Sequence, residues 1–153
     1  MCGRSIAESS HPSPTAVQSH PTLPPVPTNP RRTRGATGER LAESHLVGAG
    51  YSVLERNFRT RYGELDLIAS NQHAIVFCEV KTRICGSRGG PAGPLDAIGP
   101  EKRRRLRLMA AQWLAARAGE ERSAPAKLRF DAIGVTITPA GRLAKLEHVE
   151  DAF

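Results

Sequence analysis

Gly63-Glu64-Leu65-Asp66-Leu67-Ile68, followed by Ile75-Val76-Phe77-Cys78-Glu79-Val80-Lys81, decides both how the chain folds and where its chemistry sits. Both runs are apolar and partly β-branched, as strands are. Ser70-Asn71-Gln72 between them reads as a turn, so the two strands form an antiparallel hairpin. Glu79 and Lys81 are two residues apart, and on an extended strand both side chains leave the same face. Asp66 lies among Leu65, Leu67 and Ile68, where an isolated charge costs several kcal/mol unless it is paired or binds a metal. The hairpin brings Asp66 and Glu79 to the same end, provided the register puts them on one face. Two converging acids are hard oxygen ligands for a divalent cation, and a lysine beside them can orient water or a phosphate. The plain alternative is that Asp66, Glu79 and Lys81 mark the wet side of a half-exposed hairpin.

The pattern resembles the PD-(D/E)xK nuclease superfamily and, within it, the Holliday-junction-resolvase-like branch. The same blocks are similar to small bacterial YraN-type proteins of uncharacterised function. Gly38-Glu39-Arg40-Leu41-Ala42, Arg56-Asn57-Phe58-Arg59 and Arg129-Phe130-Asp131 fit that family too, so the resemblance runs from about Arg34 to Phe153. It implies an α/β fold, a restriction-endonuclease-like mixed and largely antiparallel sheet flanked by helices. It also implies hydrolysis of DNA phosphodiester bonds, with branched or recombination and repair DNA as the substrate class. On that resemblance Asp66, Glu79 and the main-chain carbonyl of Val80 bind Mg²⁺ or Mn²⁺, and Lys81 holds the water or the phosphate. An acidic residue on the first helix reaches the metal site in that superfamily, which makes Glu39 the third carboxylate. The rival readings are a catalytically silent nucleic-acid-binding module of the same fold, and an adaptor for acidic proteins.

Composition points towards polyanions. Lys and Arg number 22 against 15 Asp and Glu, a formal charge of +7 with a pI near 10.0. Such an excess favours polyanion partners through counterion release, the neutral readings being a merely soluble basic surface or attraction to anionic lipid heads, and the resemblance makes that polyanion nucleic acid, DNA first. Lys102, Arg103, Arg104, Arg105 and Arg107 crowd the start of a helix, where cations oppose the dipole and an anionic partner would relieve them. Arg59 and Arg61 add charge beside Tyr62, whose ring can stack on a base. No apolar run approaches the roughly 18 to 20 residues of a membrane span, and the N-terminus lacks an apolar signal stretch. Cys2, Cys78 and Cys85 show no C-x-x-C spacing, so a reducing cytoplasm is expected. A homodimer stays open.

The chain divides once. Residues 1–34 hold seven of the twelve prolines among Ser, Thr and His, so a disordered tail is expected there and one domain over 35–153. A first helix is expected from Thr37, as N-cap, to Gly48-Ala49-Gly50, with Glu39, Ala42 and Leu46 on one stripe. Glu39 also suits a first turn simply by meeting the helix dipole. Strands are expected at Ser52–Phe58, Glu64–Ala69, His73–Arg83, Lys127–Thr138 and Arg142–Val149. Ile84–Gly99 reads as a Gly/Pro-rich connection, without a Walker pattern, that can serve as a substrate-contacting flap. A second helix starts near Pro100, with Leu106, Met109 and Trp113 as its core stripe. Asp131 stands among apolar residues without an assignable role, and the five histidines are scattered.

Overall fold

The computed structural model describes residues 29–87, 98–119 and 127–153. Residues 1–28 of the expected 1–34 tail and the middle of the expected flap lie outside the described residues. The elements run α1 (Pro30–Gly48), β1 (Ser52–Thr60), β2 (Gly63–Ser70), β3 (Ala74–Ile84), α2 (Pro100–Ala116), β4 (Lys127–Ile137) and β5 (Leu143–Val149). The strands form one sheet in chain order, β1-β2-β3-β4-β5. Every neighbouring pair is antiparallel except β3 and β4, which run parallel and need the long crossover that contains α2. The fold is therefore α/β, a restriction-endonuclease-like mixed sheet flanked by two helices.

Local chemistry explains most boundaries. Asn71 Oδ1 accepts from the backbone N–H of His73 and Ala74, both at 2.9 Å, which closes the β2–β3 turn. Helix α1 starts seven residues before the expected Thr37 cap. Asn29 Oδ1 accepts from the Arg31 N–H at 3.0 Å and Pro30 stands at the first helical position, a stronger start signal than threonine offers. Thr37 instead donates its hydroxyl to the Thr33 carbonyl at 3.1 Å, inside the helix. Pro30–Arg34, expected in the tail, is therefore helical.

The sheet is covered on both faces. Ala42 and Leu46 of α1 pack with Leu67, Val76, Cys78, Val80, Ile133 and Val135. Leu106, Met109 and Trp113 of α2 pack on the other face with Leu65, Ile68 and Phe77. Burial on both faces is why β3 reads as a continuous apolar run rather than an alternating one. Trp113 satisfies its indole N–H on Glu55 Oε2 at 2.7 Å, which fixes α2 to β1.

Asp131, given no role by its sequence context, is the polar hub of the fold and is fully buried. Arg129 donates to both its oxygens at 2.9 Å, His148 Nε2 lies at 2.7 Å, and the Asp151 N–H donates at 3.0 Å. Arg129 also donates to the Tyr51 hydroxyl at 2.8 Å, and His148 Nδ1 meets His45 Nε2 of α1 at 3.1 Å. One carboxylate thus ties β4, β5, the C-terminal segment and the end of α1 together. Burial pushes the Asp131 carboxyl up, but the His148 and Arg129 hydrogen bonds outweigh it and hold the group below the usual carboxylate range.

Asp131→Asn should cost about 3–5 kcal/mol at pH 7, because it leaves a nearly buried guanidinium facing a neutral amide. A carboxyl with a depressed folded pKa stabilises the fold above its unfolded value and loses that contribution as pH falls through the folded one. The gap between wild type and variant in urea unfolding should therefore be widest at neutral pH and narrow in acid. A loss below about 1 kcal/mol at pH 7 would show that the hub is dispensable.

Candidate active site at the end of the central hairpin

The β2–β3 register settles whether the two acids meet. The pairing runs from Ser70 opposite Ile75 to Leu67 opposite Cys78, which leaves Asp66 and Glu79 as the next residues at its end. The Val80 N–H donates to Asp66 Oδ2 at 2.7 Å across the same gap. N–H and carbonyl of one extended residue leave the strand on the same edge, so the Val80 carbonyl also faces β2. Glu79 follows Ile75 and Phe77 on the α2 side of β3 and is only 2% exposed. Its Oε1 pairs with Lys81 two residues on, as the same-face spacing requires.

Glu79 Oε2 is buried and makes no hydrogen bond, yet Lys102 Nζ from α2 lies 3.1 Å away. The contact is thus an ion pair without hydrogen-bond alignment. Glu39 enters from α1, where the adjacent Gly38 lies against β3. A Cβ on Gly38 would stand 1.7 Å from Thr82 Oγ1, so only glycine lets the helix come this close. Asn57 Nδ2 donates to Glu39 Oε2 at 2.9 Å. Asn57 has φ 50°, a left-handed conformation that asparagine tolerates better than most residues.

Together these groups line an open cleft of about 480 Å³, with Arg31, Arg34 and Glu39 on the α1 side, Asp66, Glu79 and Lys81 on the floor, and Lys102 on the α2 side. Burial, then the neighbouring Glu79 charge, pushes the Asp66 carboxyl up to about 7, against the opposing pull of the Val80 N–H and Lys81. Glu39 is also raised, by burial first and the Glu64 charge second, with the Asn57 hydrogen bond opposing. The four expected residues Glu39, Asp66, Glu79 and Lys81 therefore share one cleft. Among the described residues, no three His, Cys, Asp or Glu side chains come together as a metal-binding group. The facing oxygen donors are two carboxylates and one carbonyl, with Glu39 held to one side by Asn57.

The basic residues are less bare than their sequence suggests. Arg59 pairs with Glu64 at 3.2 Å, and Arg61 lies over the Tyr62 ring at 4.7 Å. Arg103 donates to the Ile98 carbonyl at 3.0 Å and faces the Phe153 ring, Arg105 pairs with Glu101, and Arg107 faces the Phe130 ring. Arg104 is exposed. Sequence reading placed Lys102 with this basic face and gave no role to Asn57 or Glu64 in the site. Helical periodicity alone held the signal for Lys102, because it lies four residues before Leu106 on the buried stripe of α2.

A family model described as uncharacterised protein family UPF0102 matches residues 38–135. A UPF0102 protein of Mycobacterium sp. (strain KMS) is 50% identical over 118 residues, covering 76% of this chain and 82% of that protein. One from Frankia alni is 43% identical over 119 residues, covering 78% and 92%. One from Rhodococcus opacus (strain B4) is 43% identical over 120 residues, covering 78% and 94%.

Two outcomes test this geometry. Gly38→Ala should destabilise by about 1–3 kcal/mol through overpacking, with partial recovery when Thr82→Ala is added. Full stability of the single variant would contradict the close helix–strand approach. For Asp66 the raised folded pKa means that ionisation works against folding, so stability falls as pH rises from the unfolded value near 4 through about 7. In EDTA, Asp66→Asn should melt with wild type at pH 4 and above it at pH 8, by at least about 4 °C. A melting difference that does not change with pH would show that Asp66 ionises as an ordinary carboxylate.

Proposed function

The chain belongs to the uncharacterised protein family UPF0102, the family its YraN-type motifs resemble, and from that premise we propose that it is a metal-dependent endonuclease acting on DNA phosphodiester bonds. The observation that carries this reading is the facing pair of carboxylates, one of whose oxygens, Glu79 Oε2, is buried without a hydrogen bond. The charge on that oxygen is compensated by the Lys102 ammonium at 3.1 Å without hydrogen-bond alignment, which leaves a lone pair that a metal cation can take. Asp66, Glu79 and the Val80 carbonyl are hard oxygen donors of the kind Mg²⁺ and Mn²⁺ take, and they would hold such an ion. When bound, it lowers the pKa of a water and stabilises charge on the phosphate being attacked.

The protein's own groups do the rest. Lys81, about 40% exposed along its side chain, is anchored to Glu79 and reaches into the cleft, where it orients the attacking water or steadies the phosphate. Arg31 and Arg34 stand on the cleft wall as phosphate-positioning charges. Glu39 adds negative charge at the rim, which favours a cation in the cleft over an anion. The resolvase-like resemblance of the motifs points to branched or flapped DNA as substrate. Among the described residues no helix is long and apolar enough to cross a membrane.

One observation favours a second reading. Lys81 and Lys102 both sit on Glu79, and no third carboxylate completes a metal-binding group among the described residues. That arrangement also suits a catalytically silent nucleic-acid-binding module.

Purified full-length protein should nick branched, flapped or linear DNA with Mg²⁺ or Mn²⁺ and not with EDTA. Asp66→Asn and Glu79→Gln should each lower the nicking rate by about 10²–10³, the loss of several kcal/mol of charge stabilisation. Their DNA affinity in EDTA should be kept or rise, since a carboxylate near phosphate is repulsive. A wild type that binds DNA with a steep salt slope and never nicks would replace the endonuclease by the silent module.

A further inference from the structure

Of the five cations that open α2, Lys102 lines the cleft, while Arg103 and Arg107 turn to the C-terminal segment and β4. Its environment is unusual in three respects. Lys102 stands in the first turn of α2, where the helix dipole disfavours a cation. It is nonetheless drawn inward to Glu79 Oε2, at 3.1 Å, rather than extended into water. And Glu79 already has Lys81 on its other oxygen, so one buried carboxylate faces two ammonium groups while Asp66 opposite accepts only a backbone N–H.

Two lysines on one carboxylate are more positive charge than Glu79 alone can neutralise. The two ammonium groups together carry the double positive charge that a divalent cation would bring to Asp66 and Glu79. A dication on Glu79 Oε2 would stand within a few ångströms of Lys102 Nζ, and the two repel strongly in a partly buried cleft. Lys102 has a four-carbon stem that is 31% exposed along its side chain, so it can swing outward without disturbing α2. The space it would enter is the cleft itself, where a phosphate bound between the floor and the α1 arginines presents its oxygens.

We propose, on the footing of the endonuclease reading, that Lys102 is an active-site lysine that occupies Glu79 in the metal-free protein, competes with the divalent cation for it, and on displacement takes a non-bridging oxygen of the scissile phosphate. It thereby couples cation binding to substrate binding: the cation frees the ammonium group that grips the phosphate. Arg104 and Arg105 do not line the cleft and have no such coupling. Lys102 is then distinct from the basic face in which its sequence position places it.

The test uses the full chain with Lys102→Met, which keeps the stem, and Lys102→Gln as a second variant in case the first fails to fold. Mn²⁺ binding, read from free Mn²⁺ by electron paramagnetic resonance, should be about tenfold tighter in either variant, since a competing positive charge is gone. Binding to a four-way DNA junction is measured against salt. In EDTA the slope should equal that of wild type, because Lys102 is then engaged with Glu79. In Ca²⁺ the variant's slope should be shallower by about one. Equal Mn²⁺ affinity in variant and wild type would overturn the proposal. So would a slope already shallower by about one in EDTA, which would make Lys102 an ordinary backbone contact. A wild type that binds Mn²⁺ and never nicks removes the endonuclease reading but leaves the competition measurable, whereas a wild type that does not bind Mn²⁺ removes both.

Discussion

The rest of the site depends on one constraint: a buried antiparallel register that sets two carboxylates face to face. The pairing of Leu67 with Cys78 is fixed by apolar side chains on both faces of the hairpin, and a slip of one residue would turn the entire apolar set over. Asp66 and Glu79 are therefore held together by the burial of Leu67, Ile68, Val76 and Phe77, not by any attraction of their own. Their repulsion is carried by the core. It adds to burial, the larger cause, in raising the Asp66 pKa. A fold selected for stability alone has no use for such a pair, since apolar residues at both positions would continue the strands they interrupt.

Asp131 supplies the contrast within the same molecule. It is more deeply buried than Asp66, yet a bidentate arginine, a histidine and a backbone N–H satisfy both its oxygens. Its carboxyl is depressed where that of Asp66 is raised. Burial is common to both, so it cannot be what separates a structural acid from a functional one. Satisfaction is. The hub at Asp131 closes the sheet edge and anchors the end of α1 through His148 and His45, while Asp66 accepts a backbone N–H and Glu79 leans on two partly exposed lysines.

The same contrast explains what the sequence could tell. Strand and helix positions were legible because hydrophobic period and turn chemistry are local: Ser70-Asn71-Gln72 announces the hairpin, and Pro100 the start of α2. The site acids were legible because charge is conspicuous inside Leu-Asp-Leu and Cys-Glu-Val. The start of α1 was misplaced because two N-cap candidates compete, and threonine at 37 looked sufficient without the asparagine–proline pair at 29 and 30. The roles of Asp131 and Asn57 were hidden for a different reason. Arg129 stands two residues before Asp131 on the same strand, but the other partners lie 17 to 20 residues away in sequence, on other elements, where no spacing rule reaches. Lys102 was read as surface because its neighbours are arginines, whereas its helical position relative to Leu106 turns it inward.

Geometry also orders the contributions of the two helices. Both deliver their N-terminal halves to the C-terminal end of β3, α1 through Gly38 against Thr82 and α2 through Lys102 against Glu79. Helix N-termini carry positive partial charge, so their convergence at one end of a strand makes that end attractive to anions while the strand itself presents carboxylates. These opposed demands meet in one cleft. Asp66 and Glu79 lie with Lys81 on the floor, and Arg31, Arg34 and Lys102 stand on the walls with Glu39. A cleft of uniform charge could bind only one of the two partners. On the endonuclease reading, the mixed one takes the cation and the phosphate together, because each offsets the charge that the other brings.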